Sequence, residues 1–322
     1  MTASTGAGGA PPLRGSPTRR RKERTVSWIL LGAAVVSVLI SAGIVLSLIF
    51  EAVSFVTRIE LDDLLAPGWF PRRGMFSIPT VLAGTLMVTL VAMIIAIPIG
   101  LLSAIYLSEY APPRVRHIVK PILEILAGIP SVVLGFFALI WIGPNIVQAF
   151  FGAPTPFSLA AAGIGVGILS IPLVASVSED AMRAVPQGLR EASYGLGARR
   201  HTTSLRVVVP AAISGIVAAI ILATSRAVGE TMVVAVAAGA TGGSLFTLDP
   251  FGPGQTLTAA MASLATGSDN VVGDDAAFLS LFFLGLVLFV MTLGLNVLGD
   301  VFVRRTRQRY GRQGPVHDAL QA

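Results

Sequence analysis

The sequence predicts an all-α integral membrane protein with six transmembrane helices, and three observations carry that expectation. Hydrophobic residues make up 54% of the 322 positions and charged ones 12%, too few polar side chains to cover a soluble domain. Six apolar runs are each long enough to cross ~30 Å of hydrocarbon. Of the 23 Lys and Arg residues, 19 fall on one side of those runs, the asymmetry that the positive-inside rule assigns to the cytoplasm.

Residues 1–26 are rich in Gly, Pro, Ser and Thr and close on Arg19, Arg20, Arg21, Lys22 and Arg24. Such a stretch has too little to bury and is expected to be a disordered basic tail. The run 27–50 is uncharged over 24 residues, longer than the h-region of a cleaved signal, so it is expected to remain as the first span. The others are expected at 81–106, 121–150, 159–177, 208–239 and 277–303, followed by a basic tail at 304–322.

An even number of spans puts both termini on one side, and the basic residues say which. The N-terminal tail holds 6, the 107–120 loop 3, the 179–207 loop 5 and the C-terminal tail 5, whereas the opposite side holds only Arg58, Arg72 and Arg73. Both termini and the 179–207 loop are therefore expected in the cytoplasm. The net charge of +6 is accounted for by topology, so no nucleic-acid role is expected. The segments 51–79 and 240–276 carry Asp62, Asp63, Asp249, Asp269, Asp274 and Asp275 and are expected to meet solvent or an external partner.

Several chemistries are excluded. Cysteine is absent, which removes thiol catalysis and Cys-based zinc sites. His117, His201 and His317 stand singly and are expected on the surface; no metal and no catalytic residue is expected. A phosphate-cradling loop of the Walker type needs Lys after Gly, but Lys22 and Lys120 follow Arg21 and Val119, so the chain carries no such ATPase site and any ATP hydrolysis belongs to a partner. Gly163, Gly165 and Gly167 lack the spacing of a dinucleotide loop, and with the prolines of the spans they are read as helix-packing residues. Lys120 and Glu124 stand at i and i+4 and suggest an interfacial pair or a partner contact; Asp300 lies near Arg304 at a span's edge and suggests an ion pair.

Two motifs remain. The stretch 191–210 has Glu191, Ala192, Ser193, Gly197, Val207, Val209 and Pro210 at the spacing Glu-Ala-Ala, three residues, Gly, nine residues, aliphatic, any residue, aliphatic, Pro, with Ser193 where Ala is usual. A short helix over 186–196 is expected to lie across the cytoplasmic face, with Gly197 ending it in a left-handed cap. In the fifth span, Arg226 and Glu230 stand at i and i+4, hence on one helical face near mid-membrane. A charge there costs at least ~2.5–3.5 kcal/mol and by default faces a cavity. Either the two neutralise each other, or Arg226 offers a planar fork of donors to a tetrahedral oxyanion. Glu230 could then accept the proton that hydrogen phosphate keeps and sulfate lacks, or serve as the resting partner of Arg226.

The 191–210 pattern resembles the coupling loop of ABC-importer permeases. Together with R-A-V-G-E-T-M at 226–232, A-G-I-P-S-V-V-L-G-F-F at 127–137 and Y-L-S-E-Y-A-P at 106–112, it makes the chain similar to the permease of a bacterial phosphate ABC importer, of PstC type more than PstA type. The resemblance covers roughly residues 27–310. It implies a type I importer fold in the bacterial plasma membrane, a heterodimer with a second homologous permease, a cytosolic ATPase dimer and an extracytoplasmic phosphate-binding protein. It further implies that 191–197 contacts the ATPase and that Arg226 and Glu230, with Thr231, line the translocation path. A permease for sulfate or molybdate, and an ion-coupled secondary transporter with Glu230 as proton carrier, are the alternatives.

Overall fold

The computed structural model describes residues 17–239, 242–267 and 275–311. Asp269, Asp274 and His317 lie outside them, as do most of both tails. Six helices among the described residues are long and apolar enough to cross a membrane: Lys22–Val56, Ile78–Tyr110, Ser131–Phe151, Leu159–Arg183, Arg200–Val228 and Ala276–Arg305. The chain divides into two units, Met1–Phe50 and Glu51–Ala322.

Helix α1 (Pro17–Val56), which holds the first span, starts ten residues before that span's expected beginning and takes in residues 17–26, expected to be disordered. Arg and Lys are good helix formers and a Pro is tolerated in a first turn, so the helix of the apolar run propagates backward into the basic stretch. Apolar side chains of the first unit such as Trp28 and Leu39 are exposed, as a lipid-facing helix requires.

The second unit holds the other five spans. Between the first and second lie strands β1 (Gly68–Phe70) and β2 (Met75–Phe76). They form a small antiparallel sheet with β3 (Ser244–Leu245), in the order β2-β1-β3, an element the helical patterning did not announce. Trp69 sits opposite Phe76 in register, and both are buried with Phe55. Helix α2 (Ile78–Ile105) continues into a wide π-turn at Tyr106–Tyr110.

The third span is shorter than expected. Residues 113–127 form a separate amphipathic helix, α3 (Pro113–Ala127), and the span starts only at α4 (Ser131–Phe137), running through π-helical Ala138–Gln148 to α5 (Ala149–Phe151). The break falls at Gly128, Ile129 and Pro130, because Pro130 donates no N–H and disfavours helical backbone in the residue before it.

Helix α6 (Leu159–Arg183) is the centre of the unit, and small residues let α2 close on it. A Cβ at Gly163 would stand 2.7 Å from Val91 Cβ, and one at Gly100 would stand 2.7 Å from Val174 Cβ. The glycine triplet packs against neighbouring helices: a Cβ at Gly165 would stand 3.0 Å from Val233 Cγ1 and 3.1 Å from Ala138 Cβ. After α6 come α7 (Gln187–Gly195), α8 (Arg200–Thr203), a π-turn at Ser204–Val208 and α9 (Val209–Val228).

The fifth span also departs from expectation. Instead of one helix over 208–239, α9 stops at Val228, and α10 (Met232–Ala237) resumes after an irregular Gly229, Glu230 and Thr231. Two further helices follow, α11 (Leu257–Ala265) and α12 (Asp275–Gly311). Helix α11 turns back among the spans: the Leu257 N–H donates to Thr85 Oγ1 at 3.0 Å.

Candidate functional site

The loop between α6 and α9 presents a short helix with one face out. Pro186 precedes α7, supplying the fixed φ that suits a helix start. At the other end Gly197 has φ +78°, its N–H donates to Tyr194 O at 2.9 Å, and the Ala198 N–H donates to Ser193 O at 3.1 Å. These two bonds make a Schellman cap, and the left-handed residue it needs is far cheaper as Gly. Glu191, Ala192 and Leu196 are exposed. Ser193 is half-buried and its Oγ lies 2.9 Å from Thr203 Oγ1, so the position that departs from Ala braces α7 on α8. Pro210 lies in the first turn of α9; it offers no N–H to the turn before it, and the chain there winds in the π form.

Under α7 lies a polar layer that spacing alone does not reveal. Arg190, the buried residue of α7, pairs with Glu109 at 2.9 Å. Beside it, Glu179 is fully buried at the end of α6, with Lys120 Nζ at 2.9 Å, Arg116 Nε at 3.4 Å and Arg183 Nη1 at 3.6 Å. Lys120 therefore reaches α6 rather than Glu124, the i+4 neighbour expected to pair with it, because the buried carboxylate and Asp180, at 2.7 Å, offer acceptors from two sides. The hydrogen bond to Asp180, with Glu179 adding to it, holds the Lys120 ammonium above the usual lysine range despite its partial burial. Asp300 and Arg304 approach to 3.9 Å, both exposed.

The fifth-span pair is arranged differently from the helical-face expectation. Arg226 lies in the last turn of α9, whereas Glu230 lies in the break beyond it, so the two do not share one helix. Among the described residues they form no ion pair, and the guanidinium of Arg226, which is exposed, has no hydrogen-bond partner. Glu230 is half-buried: its Oε1 accepts from the Val233 N–H at 3.4 Å, and its backbone carbonyl accepts from Thr258 Oγ1 at 2.7 Å. Thr231 Oγ1 donates to Gly229 O at 3.3 Å. Gly229, Thr231, Thr258 and Met261 line a cleft of about 290 Å³ beside the break. Chemically, among the described residues the break leaves the Arg226 guanidinium without a paired counter-charge, Glu230 lying nearby in the chain without neutralising it.

Residues 96–310 match the family model described as "Binding-protein-dependent transport system inner membrane component". A Bacillus subtilis protein described as probable ABC transporter permease protein YqgH is 34% identical over 278 residues, covering 85% of this chain and 86% of that protein. The phosphate transport system permease protein PstC of Mesorhizobium japonicum is 30% identical, covering 87% of this chain and 89% of that one. A chain of a solved bacterial ABC transporter involved in alginate import superposes with a TM-score of 0.62 over 89% of this chain at 14% identity, which supports the six-span fold and nothing finer. The chain belongs to the family of binding-protein-dependent transport system inner membrane components, the permease subunits of ABC importers, and has relatives of PstC type within it.

Proposed function

We propose that this chain is the PstC-type permease of an ATP-driven importer that carries inorganic phosphate into the cytoplasm. The observation that carries this reading is Arg226: an apolar span holds a guanidinium that no described carboxylate neutralises, and a charge kept there at such cost is there to meet an anion. A planar fork suits a tetrahedral oxyanion. The names of the PstC relatives point to phosphate among oxyanions, and Glu230 supplies a proton acceptor that phosphate can use and sulfate cannot.

Energy reaches the path through α7. Its exposed Glu191 and Ala192 and its capped end at Gly197 form the surface for a cytosolic ATPase dimer, and a second homologous permease completes the pore. The sheet β2-β1-β3, on the segments with few basic residues, meets an extracytoplasmic phosphate-binding protein. Both termini and the α6–α9 loop then face the cytoplasm of a bacterial cell, in line with the distribution of Lys and Arg.

The test is reconstitution of the permease pair with its ATPase and binding protein in vesicles. ATP hydrolysis stimulated by phosphate, with phosphate accumulating in the lumen, is expected; equal stimulation by sulfate, or uptake without ATP, refutes the reading.

A further inference from the structure

Helix α7 is attached to the spans at more than its two covalent ends. Of its nine residues Arg190 is the buried one, 9% exposed, and four of its five N–H groups are engaged. Nη2 donates to Glu109 Oε1 at 2.9 Å and to Met182 O at 2.8 Å. Nη1 donates to Val185 O at 2.7 Å, and Nε approaches Glu109 Oε2 at 3.5 Å. Met182 belongs to the last turn of α6 and Val185 follows it; Met182 O also accepts from the Val185 N–H at 3.2 Å, so the guanidinium adds a second donor at the frayed end of the helix. Glu109 sits in the π-turn that ends the second span, is 7% exposed, and also accepts from Ser108 Oγ at 2.9 Å.

One guanidinium therefore ties α7 to the ends of two spans at once. The link to α6 doubles a covalent connection three residues long. The link to α2 duplicates nothing: Glu109 is 81 positions away in sequence, and nothing else described here joins α7 to that span by an ion pair.

We propose that Arg190 is a positioning residue that latches α7 to the second and fourth spans, so that displacement of α7 is delivered to α2 and α6 together and not only along the chain into α9. Helices α2 and α6 are already in close register at Gly100 and Val174, and the latch makes α7 the third member of that body. A buried charge-assisted pair suits this task because its geometry is fixed in both directions and its rupture leaves a carboxylate stranded away from water. The proposal rests on the reading of α7 as the ATPase dock.

The chain has no cysteine, so spin labels at Tyr106→Cys and Gly188→Cys, an exposed residue and an open glycine, report the distance from the second span's end to α7 in the full importer complex. The expected result is one narrow distance, unchanged between the nucleotide-free and ATP-bound complex. Adding Arg190→Met is expected to broaden it and to lower phosphate imported per ATP hydrolysed by at least about tenfold while hydrolysis continues. Arg190→Lys, which keeps the charge but cannot span both acceptors, should fall between, and so should Glu109→Gln. If Arg190→Met prevents assembly, those two variants carry the measurement. An unchanged narrow distance together with wild-type phosphate per ATP in the variants overturns the latch. Absence of phosphate-dependent hydrolysis in the wild-type complex is a failure of the functional reading instead, and the nucleotide-free distances still decide the latch.

Discussion

Thr258 donates its hydroxyl to the backbone carbonyl of Glu230 at 2.7 Å, so the interruption of the fifth span is held by α11, a helix that follows it and turns back among the spans. A broken transmembrane helix strands carbonyls that lipid cannot satisfy, and the break persists because another part of the protein supplies the donor. Thr258→Val keeps the shape and removes the donor. It should cost about 1–3 kcal/mol, read as a lower melting temperature of the purified complex, and should reduce phosphate uptake more than assembly. Unchanged melting and uptake would show that the break is stable without α11.

Arg226→Gln should abolish phosphate uptake at normal membrane level. Losing a charge-assisted, two-pronged contact away from water, on the order of 2–4 kcal/mol, slows passage roughly 30- to 1000-fold. Uptake of labelled phosphate into vesicles measures it, and near wild-type flux would remove Arg226 from the path.

Glu230→Gln separates two roles. As acceptor of the phosphate proton, Glu230 repels sulfate, so its amide should erode discrimination between the two anions more than phosphate flux. As a mere counter-charge, its loss should slow both alike. Competition of sulfate with phosphate for stimulated ATP hydrolysis tells these apart.

Gly197→Leu should insert normally yet uncouple transport. A β-carbon at φ +78° costs about 1–2 kcal/mol, enough to unwind the cap that ends α7, while the spans are untouched. Glu191→Lys should act through the exposed face instead. Both are checked by co-purification of the ATPase and by uptake, and full coupling in either variant would rule out α7 as the dock.

Lys120→Met should lower thermal stability by about 1 kcal/mol. Because the folded pKa lies above the ordinary 10.5, the contribution is fully present below that value and is lost only as pH rises through the folded one. The melting difference from wild type should therefore stay constant from about pH 6 to 9. A difference that vanishes within that range would place the stabilising charge elsewhere.

Gly163→Val tests the packing of the central pair. The new side chain would enter the space of Val91, which a Cβ alone already approaches to 2.7 Å, whereas Gly188 meets nothing within 4 Å. The first change should destabilise by about 1–3 kcal/mol and Gly188→Ala by almost nothing, as thermal unfolding in detergent would show.

The sequence by itself determined the number of spans, because the bilayer sets a minimum apolar length that six runs meet independently of one another. It also determined the capped helix of the loop between α6 and α9: the distance from Glu191 to Gly197 is covered by local hydrogen bonds, and φ > 0 at Gly197 is a property of one residue. Only the tertiary structure decided the rest. The hydropathy of 121–150 and 208–239 does not reveal that the first is divided by Gly128 and Pro130 and the second at Gly229, since a broken helix is as apolar as a continuous one; for Glu230 the break is retained by a donor 28 positions later in the chain. The same holds for the charges. Lys120 has Glu124 at helical spacing, but Glu179 and Asp180 lie 2.9 and 2.7 Å away. Arg190 beside the recognised Glu191 has its partner 81 residues upstream. A buried charge must find a counter-charge wherever packing places one, and no local period encodes that distance.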